Sequence, residues 1–268
     1  MQAPAAAAIL WVVDYDRYNR EERALCSHLF RLLHENLATA PETSPLRRVL
    51  VLLASRGLTF SGAAAPDLGC PLASAAILTE VALIRDAYQA KKPDVAPFMD
   101  ALVALAVKQE DVGGAEVRPY SALPPPIGNP KETHPKHISA KGRGVLSEAE
   151  LRVYGAVQGM FNAKPDLTIV LPTCFVVFEA KFTEDFDETQ LARTRKIAEV
   201  WATLLHADLG FDRPPPFAVA KLGDGSCGVD VSWQELLLVA RETYADGDRS
   251  RTAFEHAVEF LRRRRSPT

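Results

Sequence analysis

The segment from Lys164 to Phe182, KPDLTIVLPTCFVVFEAKF, constrains the fold of this chain more than any other part of it. Two short apolar runs flank Pro172-Thr173, and each has the length and composition of a buried strand. Side chains along a strand alternate between two faces, so Glu179 and Lys181 share one face while their neighbours form a wholly apolar one. Because isolated charges are costly in a buried strand, the segment predicts a hairpin with functional charges at its open end.

The register of this hairpin determines which charges meet. A four-residue loop from Leu171 to Cys174 is expected, because Pro172 cannot adopt the positive φ of the favoured two-residue turns. Asp166 then lies opposite Glu179, with Cβ atoms roughly 5 Å apart, whereas an odd loop would leave the carboxylates diagonal. Two such carboxylates repel each other unless a cation lies between them. The pair therefore predicts a site for Mg²⁺ or Mn²⁺, which takes about two protein carboxylates and completes its shell with water.

Lys181 adds a positive charge to the same face, about 7 Å further along the strand. An ammonium group there can orient or help deprotonate an attacking water and stabilise charge that develops on a phosphate. A divalent cation, two acids and an ammonium group suit the in-line hydrolysis of a phosphodiester. The residue types and their order thus indicate a hydrolase that acts on nucleic acid.

Pro165-Asp166 followed by Glu179-Ala180-Lys181 resembles the signature of the PD-(D/E)xK nuclease superfamily, which includes many restriction and repair nucleases. The resemblance implies an α/β fold, namely a restriction-endonuclease-like mixed β-sheet flanked by helices. It also implies that Asp166 and Glu179 bind Mg²⁺ and that Lys181 assists the nucleophilic water.

Two flanking helices supply further candidates that the resemblance implies. Family members often carry a metal-binding acid on the helix before the Asp strand, and Glu150 is preferred to Glu148 because it shares a face with apolar residues. That helix is expected to begin after Ser147, with Glu150 completing a capping box. Many members also carry a catalytic Gln on the helix after the Lys strand. Gln190 fits, since its alignment with Thr194 and later apolar residues turns its amide toward the sheet.

The chain divides into three regions by composition. Residues 1–117 are mainly helical and are expected to recognise substrate, a partner or an activating signal. Residues 118–140 are rich in proline and form either a linker or a long loop packed over the surface. Residues 141–268 form the nuclease-like domain. Helices are expected at 20–36, 73–90, 95–108, 147–161, 188–206 and 251–264, and strands at 217–222 and 229–233, which form a hairpin across a glycine-rich turn.

Charge and apolar content limit the partners. The formal net charge of −3 excludes a uniformly basic nucleic-acid coat, so DNA contacts must come from local clusters. Arg193 and Lys196 on the helix after the site are candidates, and Arg262–Arg265 is either a solvated helix end or a phosphate-binding cluster. The apolar run Ala5–Val13 is too short to span a bilayer and lacks a basic flank, which indicates a buried element of a cytoplasmic protein without a membrane partner. The scattered cysteines indicate free thiols.

The glycine-rich segment Gly223–Gly228 matches GxGxxG but is followed by a strand pattern, so it favours a turn over a dinucleotide site. The leading hypothesis is a metal-dependent deoxyribonuclease, and family analogy suggests a restriction or defence effector. A homodimer is expected if both strands of a duplex are cut. One alternative is a non-catalytic nucleic-acid-binding or assembly protein that retains a nuclease-like fold. Another is an interaction module whose hairpin charges face solvent.

Overall fold

The computed structural model of the chain describes residues 21–61, 66–181, 186–224 and 228–265. Within these ranges the chain is α/β, with a five-stranded mixed sheet and nine α-helices. The apolar run Ala5–Val13 lies outside the described residues. Among the residues described, none of the helices has the length and apolar character needed to cross a membrane.

The helices and strands follow one another in a mixed order. The helices are α1 (Glu21–His34), α2 (Pro45–Ser55), α3 (Leu83–Ala90), α4 (Ala96–Glu110), α5 (Ile138–Lys141), α6 (Glu148–Asn162), α7 (Glu188–Leu204), α8 (Trp233–Thr243) and α9 (Arg249–Arg265). The strands are β1 (Ala76–Leu78), β2 (Leu167–Val170), β3 (Phe175–Ala180), β4 (Phe217–Gly223) and β5 (Val231–Ser232).

The chain forms two compact units, and neither is continuous in sequence. The sheet unit contains Met1–Glu80, Pro165–Thr194 and Pro216–Thr268. The helical unit contains Val81–Lys164 and Arg195–Pro215. The proline-rich stretch 118–140, expected as a linker or a surface loop, belongs to the helical unit, and the described residues before Val81 group with the sheet.

The sheet has the strand order β1-β2-β3-β4-β5. The first three strands pair antiparallel, and β3, β4 and β5 pair parallel. Val170 pairs with Phe175, and the N–H of Leu171 donates to the carbonyl of Cys174 at 2.8 Å. The hairpin register expected from a four-residue loop is therefore confirmed. Helix α7 lies between β3 and β4 in the chain and provides the long connection that parallel neighbours need.

The hydrophobic core of the sheet unit lies on one face of the sheet. Val176, Phe178 and Ala180 point into it, as the alternation in β3 predicts, while Phe182 lies outside the described residues. Residues of α1, α2, α8 and α9 complete the same cluster. The apolar face of the hairpin is thus confirmed, and the opposite face is left to carry the charges.

Most helix predictions agree with the structure, and two missed features have visible signals. Ser147 caps α6 with the full capping box that the sequence predicts. Helix α2, which is not among the expected helices, begins at Pro45 after the N-cap Ser44, a Ser-Pro start that is typical of a helix N-terminus. The helix expected at 73–90 is wrong in its first half, because residues 76–78 pair with β2 and only α3 is helical. Strand pairing there outweighs local helical periodicity.

The hairpin expected between 217–222 and 229–233 is wrong, because β5 runs parallel to β4 and ends at Ser232. Ser232 and Glu235 form a capping box that starts α8 at Trp233. The apolar positions Trp233, Leu236 and Leu237 are buried at helical spacing, so burial of that face extends a helix where alternation suggested a strand. Cys26, Cys70 and Cys174 are the three cysteines within the described residues, and they form no disulfide bond, as the scattered cysteines predict.

Candidate active site

Asp166 stands at the open end of the β2-β3 hairpin, one residue before β2. The ladder pairs Leu167 with Phe178, and one further step of the same register brings Asp166 opposite Glu179. The Oδ2 atom of Asp166 accepts a hydrogen bond from the backbone N–H of Ala180 at 2.9 Å. This bond crosses the hairpin and fixes the carboxylate beside the carboxyl end of β3, where the sequence predicted it.

Glu179 is the most deeply placed charged group of the site, with 7% of its surface exposed. The side-chain amide of Gln190 donates to its Oε1 atom, and the hydroxyl of Thr194 donates to Oε2 at 3.1 Å. Gln190 and Thr194 lie one turn apart on α7, and the predicted orientation of Gln190 toward the sheet is confirmed. Together they hold both oxygens of the Glu179 carboxylate, a role that the sequence did not suggest for Thr194.

The electrostatic environment of Glu179 opposes its charge. Burial and, to a smaller extent, the neighbouring carboxylate of Asp166 raise the pKa of Glu179 from 4.5 to about 7. The hydroxyl of Thr194, the charge of Lys181 and the amide of Gln190 offset only part of this rise in pKa. The two acids thus repel each other at close range, and a divalent cation between them would remove this cost.

Lys181 continues the ladder of β3 although it lies one residue beyond the strand. Its N–H donates to the carbonyl of Leu222 at 2.8 Å, and its own carbonyl accepts from the indole of Trp233 at 2.9 Å. Alternation along β3 places its side chain on the Glu179 face. The structure therefore brings Asp166, Glu179, Lys181 and Gln190 to one end of the sheet, within the sheet unit.

Lys221 on β4 is a residue of this face that the sequence reasoning missed. It pairs with Glu179 in the parallel ladder between β3 and β4, so the two side chains leave the sheet on the same face. Its ammonium nitrogen lies 3.5 Å from a carboxylate oxygen of Glu188 at the start of α7. A visible signal was the charge at the end of the alternating segment Phe217, Val219, Lys221, which repeats the pattern of β3.

Glu150 has a different environment, in the helical unit. Its Oε1 accepts from the side chain of Arg118 at 2.5 Å, and its Oε2 accepts from the same guanidinium and from the N–H of Ser147, both at 2.8 Å. The guanidinium of Arg118 holds the pKa of Glu150 near 2, well below its usual range. These bonds give Glu150 a capping and ion-pairing role, and its assignment as a metal ligand stays a prediction without support from its contacts.

Replacement of Glu150 by glutamine separates these two roles. The depressed pKa means that the charged form stabilises the fold above the ordinary value of 4.5 and that this stabilisation is lost as the pH falls toward 2. We expect Glu150→Gln to lower the free energy of unfolding by about 2 kcal/mol at pH 7, with a smaller deficit in acid. Mg²⁺ affinity in isothermal titration should be unchanged. Glu148→Gln, an exposed acid in the same turn, is the control, and a tenfold loss of Mg²⁺ affinity in Glu150→Gln would restore its metal role.

The two expected nucleic-acid contacts have different surroundings. Arg193 is exposed on α7. Lys196 belongs to the helical unit, where its ammonium pairs with the carboxylate of Glu110 at 2.7 Å. Contact of either residue with DNA stays a prediction.

The donor set at the end of β3 fits a hard cation. In the described part of the chain, no group of three or more His, Cys, Asp and Glu side chains could hold a metal ion. Asp166 and Glu179 offer two carboxylates, and Mg²⁺ or Mn²⁺ commonly binds through one or two carboxylates and takes water for about the rest of its ligands. The chemistry of the pair is therefore compatible with either ion.

Comparison of the chain with protein-family models, with curated proteins and with solved structures found no match.

Proposed function

We propose that this chain is a Mg²⁺-dependent nuclease that hydrolyses phosphodiester bonds in DNA at the carboxyl end of β3. The observation that carries the proposal is the convergence of Asp166, Glu179 and Lys181 on one face of the sheet, where hairpin register places the two acids opposite each other. Sites in α/β sheets commonly lie at the carboxyl ends of parallel strands. The proposed fold type is the restriction-endonuclease-like variety of the observed mixed sheet.

Asp166 and Glu179 would hold the cation. When bound, Mg²⁺ supplies Lewis-acid stabilisation of the charge that develops on the phosphate and its leaving oxygen. Without a cation, two adjacent carboxylates raise the free energy of the folded state. The bonds from Gln190 and Thr194 hold the Glu179 side chain in one orientation, so the ligand would be preorganised.

Lys181 would act on the attacking water and on the phosphate. Its backbone is fixed by β4 and by Trp233, so the root of its side chain is held at the end of β3. An ammonium group so placed orients the water, favours the loss of its proton through the nearby positive charge, and offsets the negative charge of the phosphate oxygens. These are the steps that in-line hydrolysis requires from protein groups beyond the cation.

The two other functional classes have less support. An interaction module with solvent-facing hairpin charges conflicts with Glu179, whose exposed fraction is 7%. A non-catalytic protein with a nuclease-like fold would retain a repulsive pair that gives it no benefit. Further proposals rest on family resemblance and on the chemistry of duplex cleavage. They are a restriction or defence role, recognition of DNA or a partner by residues 1–117, an activator, and a homodimer.

Incubation of the purified chain with plasmid, single-stranded DNA and RNA tests the proposal. We expect cleavage of DNA with Mg²⁺ or Mn²⁺ and none with EDTA. Lys181→Met should lower the cleavage rate by about 10²-fold or more, because the group that orients the water and stabilises negative charge is lost, while Mg²⁺ binding is retained.

Lys131→Met removes an exposed lysine of the helical unit and is the matched control. The control should cleave at the wild-type rate. Full cleavage by Lys181→Met, or cleavage that survives EDTA, would contradict the proposed mechanism.

A further inference from the structure

Lys221 stands next to the acids of the site and has no part in holding a cation. Its pairing with Glu179 across the parallel strands places the two Cα atoms roughly 5 Å apart, with both side chains on one face. Lys221 thus lies beside two carboxylates and a second lysine. If the site cleaves DNA, the substrate phosphates must pass this position.

The backbone of Lys221 is fixed by Asp230, the residue before β5. Its N–H donates to the carboxylate of Asp230 at 2.7 Å, and its carbonyl accepts from the N–H of the same residue at 2.9 Å. Because both backbone groups are bonded, only the side chain is free to change partners. The side chain has 28% of its surface exposed, so a ligand can reach it.

The present partner of the Lys221 ammonium is easily displaced. Glu188 lies 3.5 Å away and its side chain is 78% exposed, and exposed pairs of this kind contribute about 0–1 kcal/mol. The ring of Phe186, 5.8 Å from the ammonium nitrogen, gives the lysine a second contact that does not depend on Glu188. A carboxylate and a phosphate offer an ammonium group the same kind of anionic oxygen acceptor.

We propose that Lys221 binds a backbone phosphate of the DNA substrate and that Glu188 occupies its ammonium until DNA replaces it. The inference rests on the proposed nuclease function and deepens it by adding a substrate-binding residue on β4. Binding is an exchange of one anionic partner for another, and no bond is made or broken. Glu188 thereby competes with DNA, while Phe186 keeps the ammonium at the site during the exchange.

DNA binding in EDTA tests this assignment without cleavage. Fluorescence anisotropy of a short labelled duplex, measured over a range of salt concentrations, is the readout. We expect Lys221→Met to weaken binding about threefold to tenfold and to reduce the salt slope by about one, which is the signature of a lost phosphate contact. Glu188→Gln should strengthen binding about threefold, and this gain should vanish in the double variant with Lys221→Met.

Asp187→Asn is the matched control for Glu188, because it removes a neighbouring exposed charge and keeps the bond to the N–H of Thr189. Lys131→Met is the control for Lys221. Any one of three results would overturn the inference. They are unchanged affinity and salt slope in Lys221→Met, a gain in affinity in Glu188→Gln that persists without Lys221, and no DNA binding by Glu188→Gln. If the variants show the expected changes in affinity and salt slope but the wild type does not cleave DNA with Mg²⁺, the nuclease proposal fails alone. If the wild type cleaves DNA and these changes are absent, only the Lys221 assignment fails.

Discussion

Replacing Asp166 by asparagine is expected to abolish Mg²⁺ binding and to lower the rate of DNA cleavage by about 10³-fold or more, while the chain stays folded. The variant removes the charge that attracts the cation, and the loss of several kcal/mol of transition-state stabilisation corresponds to a rate effect of about this size. The amide oxygen of asparagine can still accept the N–H of Ala180, which the Asp166 carboxylate accepts at 2.9 Å. The hairpin therefore keeps its crossing bond.

Isothermal titration with Mg²⁺ and a cleavage assay with supercoiled plasmid measure the two effects, and thermal unfolding in EDTA checks the fold. Asp187→Asn, at an exposed position, should bind Mg²⁺ and cleave as the wild type does. If the chain is a non-catalytic protein, the titration should show no Mg²⁺ binding that is present in the wild type and lost in Asp166→Asn. If Asp166→Asn cleaves DNA at a rate within tenfold of the wild-type rate, the cation must bind elsewhere.

Replacing Glu179 by glutamine should have two opposite effects, loss of metal-dependent cleavage and a gain in stability of the metal-free protein. Burial, with Asp166 adding to it, raises the pKa of Glu179 from 4.5 to about 7. The native state therefore holds a proton that the unfolded chain releases, and the free energy of unfolding falls as the pH rises through this window. At one pKa unit per 1.36 kcal/mol, the penalty that glutamine avoids at pH 8 is about 3 kcal/mol.

Urea unfolding in EDTA at a series of pH values measures this difference. The gap between Glu179→Gln and wild type should widen in favour of the variant from pH 4.5 to pH 7 and stay constant above it. Mg²⁺ affinity of the wild type should rise over the same range, because the cation competes with the proton on Glu179. A gap that does not change with pH would mean that the carboxylate is charged throughout.

The local part of the site could be predicted from the sequence because it lies on one hairpin. A short loop fixes the register, and the register fixes which acids face each other, so Asp166 and Glu179 follow from the segment alone. Gln190 follows from helical periodicity on the next element. Each of these inferences concerns residues near each other in the chain.

The other parts depend on pairings between distant segments. Lys221 joins Glu179 through a parallel ladder, whose register no turn in the sequence determines. Strand β1 forms through its pairing with β2, and α1, α2 and β1 group with the sheet through the shared core. For Glu150 the capping box was predicted correctly, but the bidentate partner, Arg118, comes from the proline-rich stretch, where sequence periodicity is absent.

The indole bond from Trp233 to the carbonyl of Lys181 has a consequence for the way sites of this kind are recognised. The lysine strand ends against a helix whose first residue lies far downstream, and that helix is started by Ser232 and Glu235. A chain can change the length of the connection before β5 at little cost, because loop entropy grows slowly with length. Loss of the Ser-Trp-x-Glu junction, by contrast, removes the bond that holds the carbonyl of the lysine. A search signature that joins this junction to the acid and lysine motif would therefore describe the structural unit better than the motif alone.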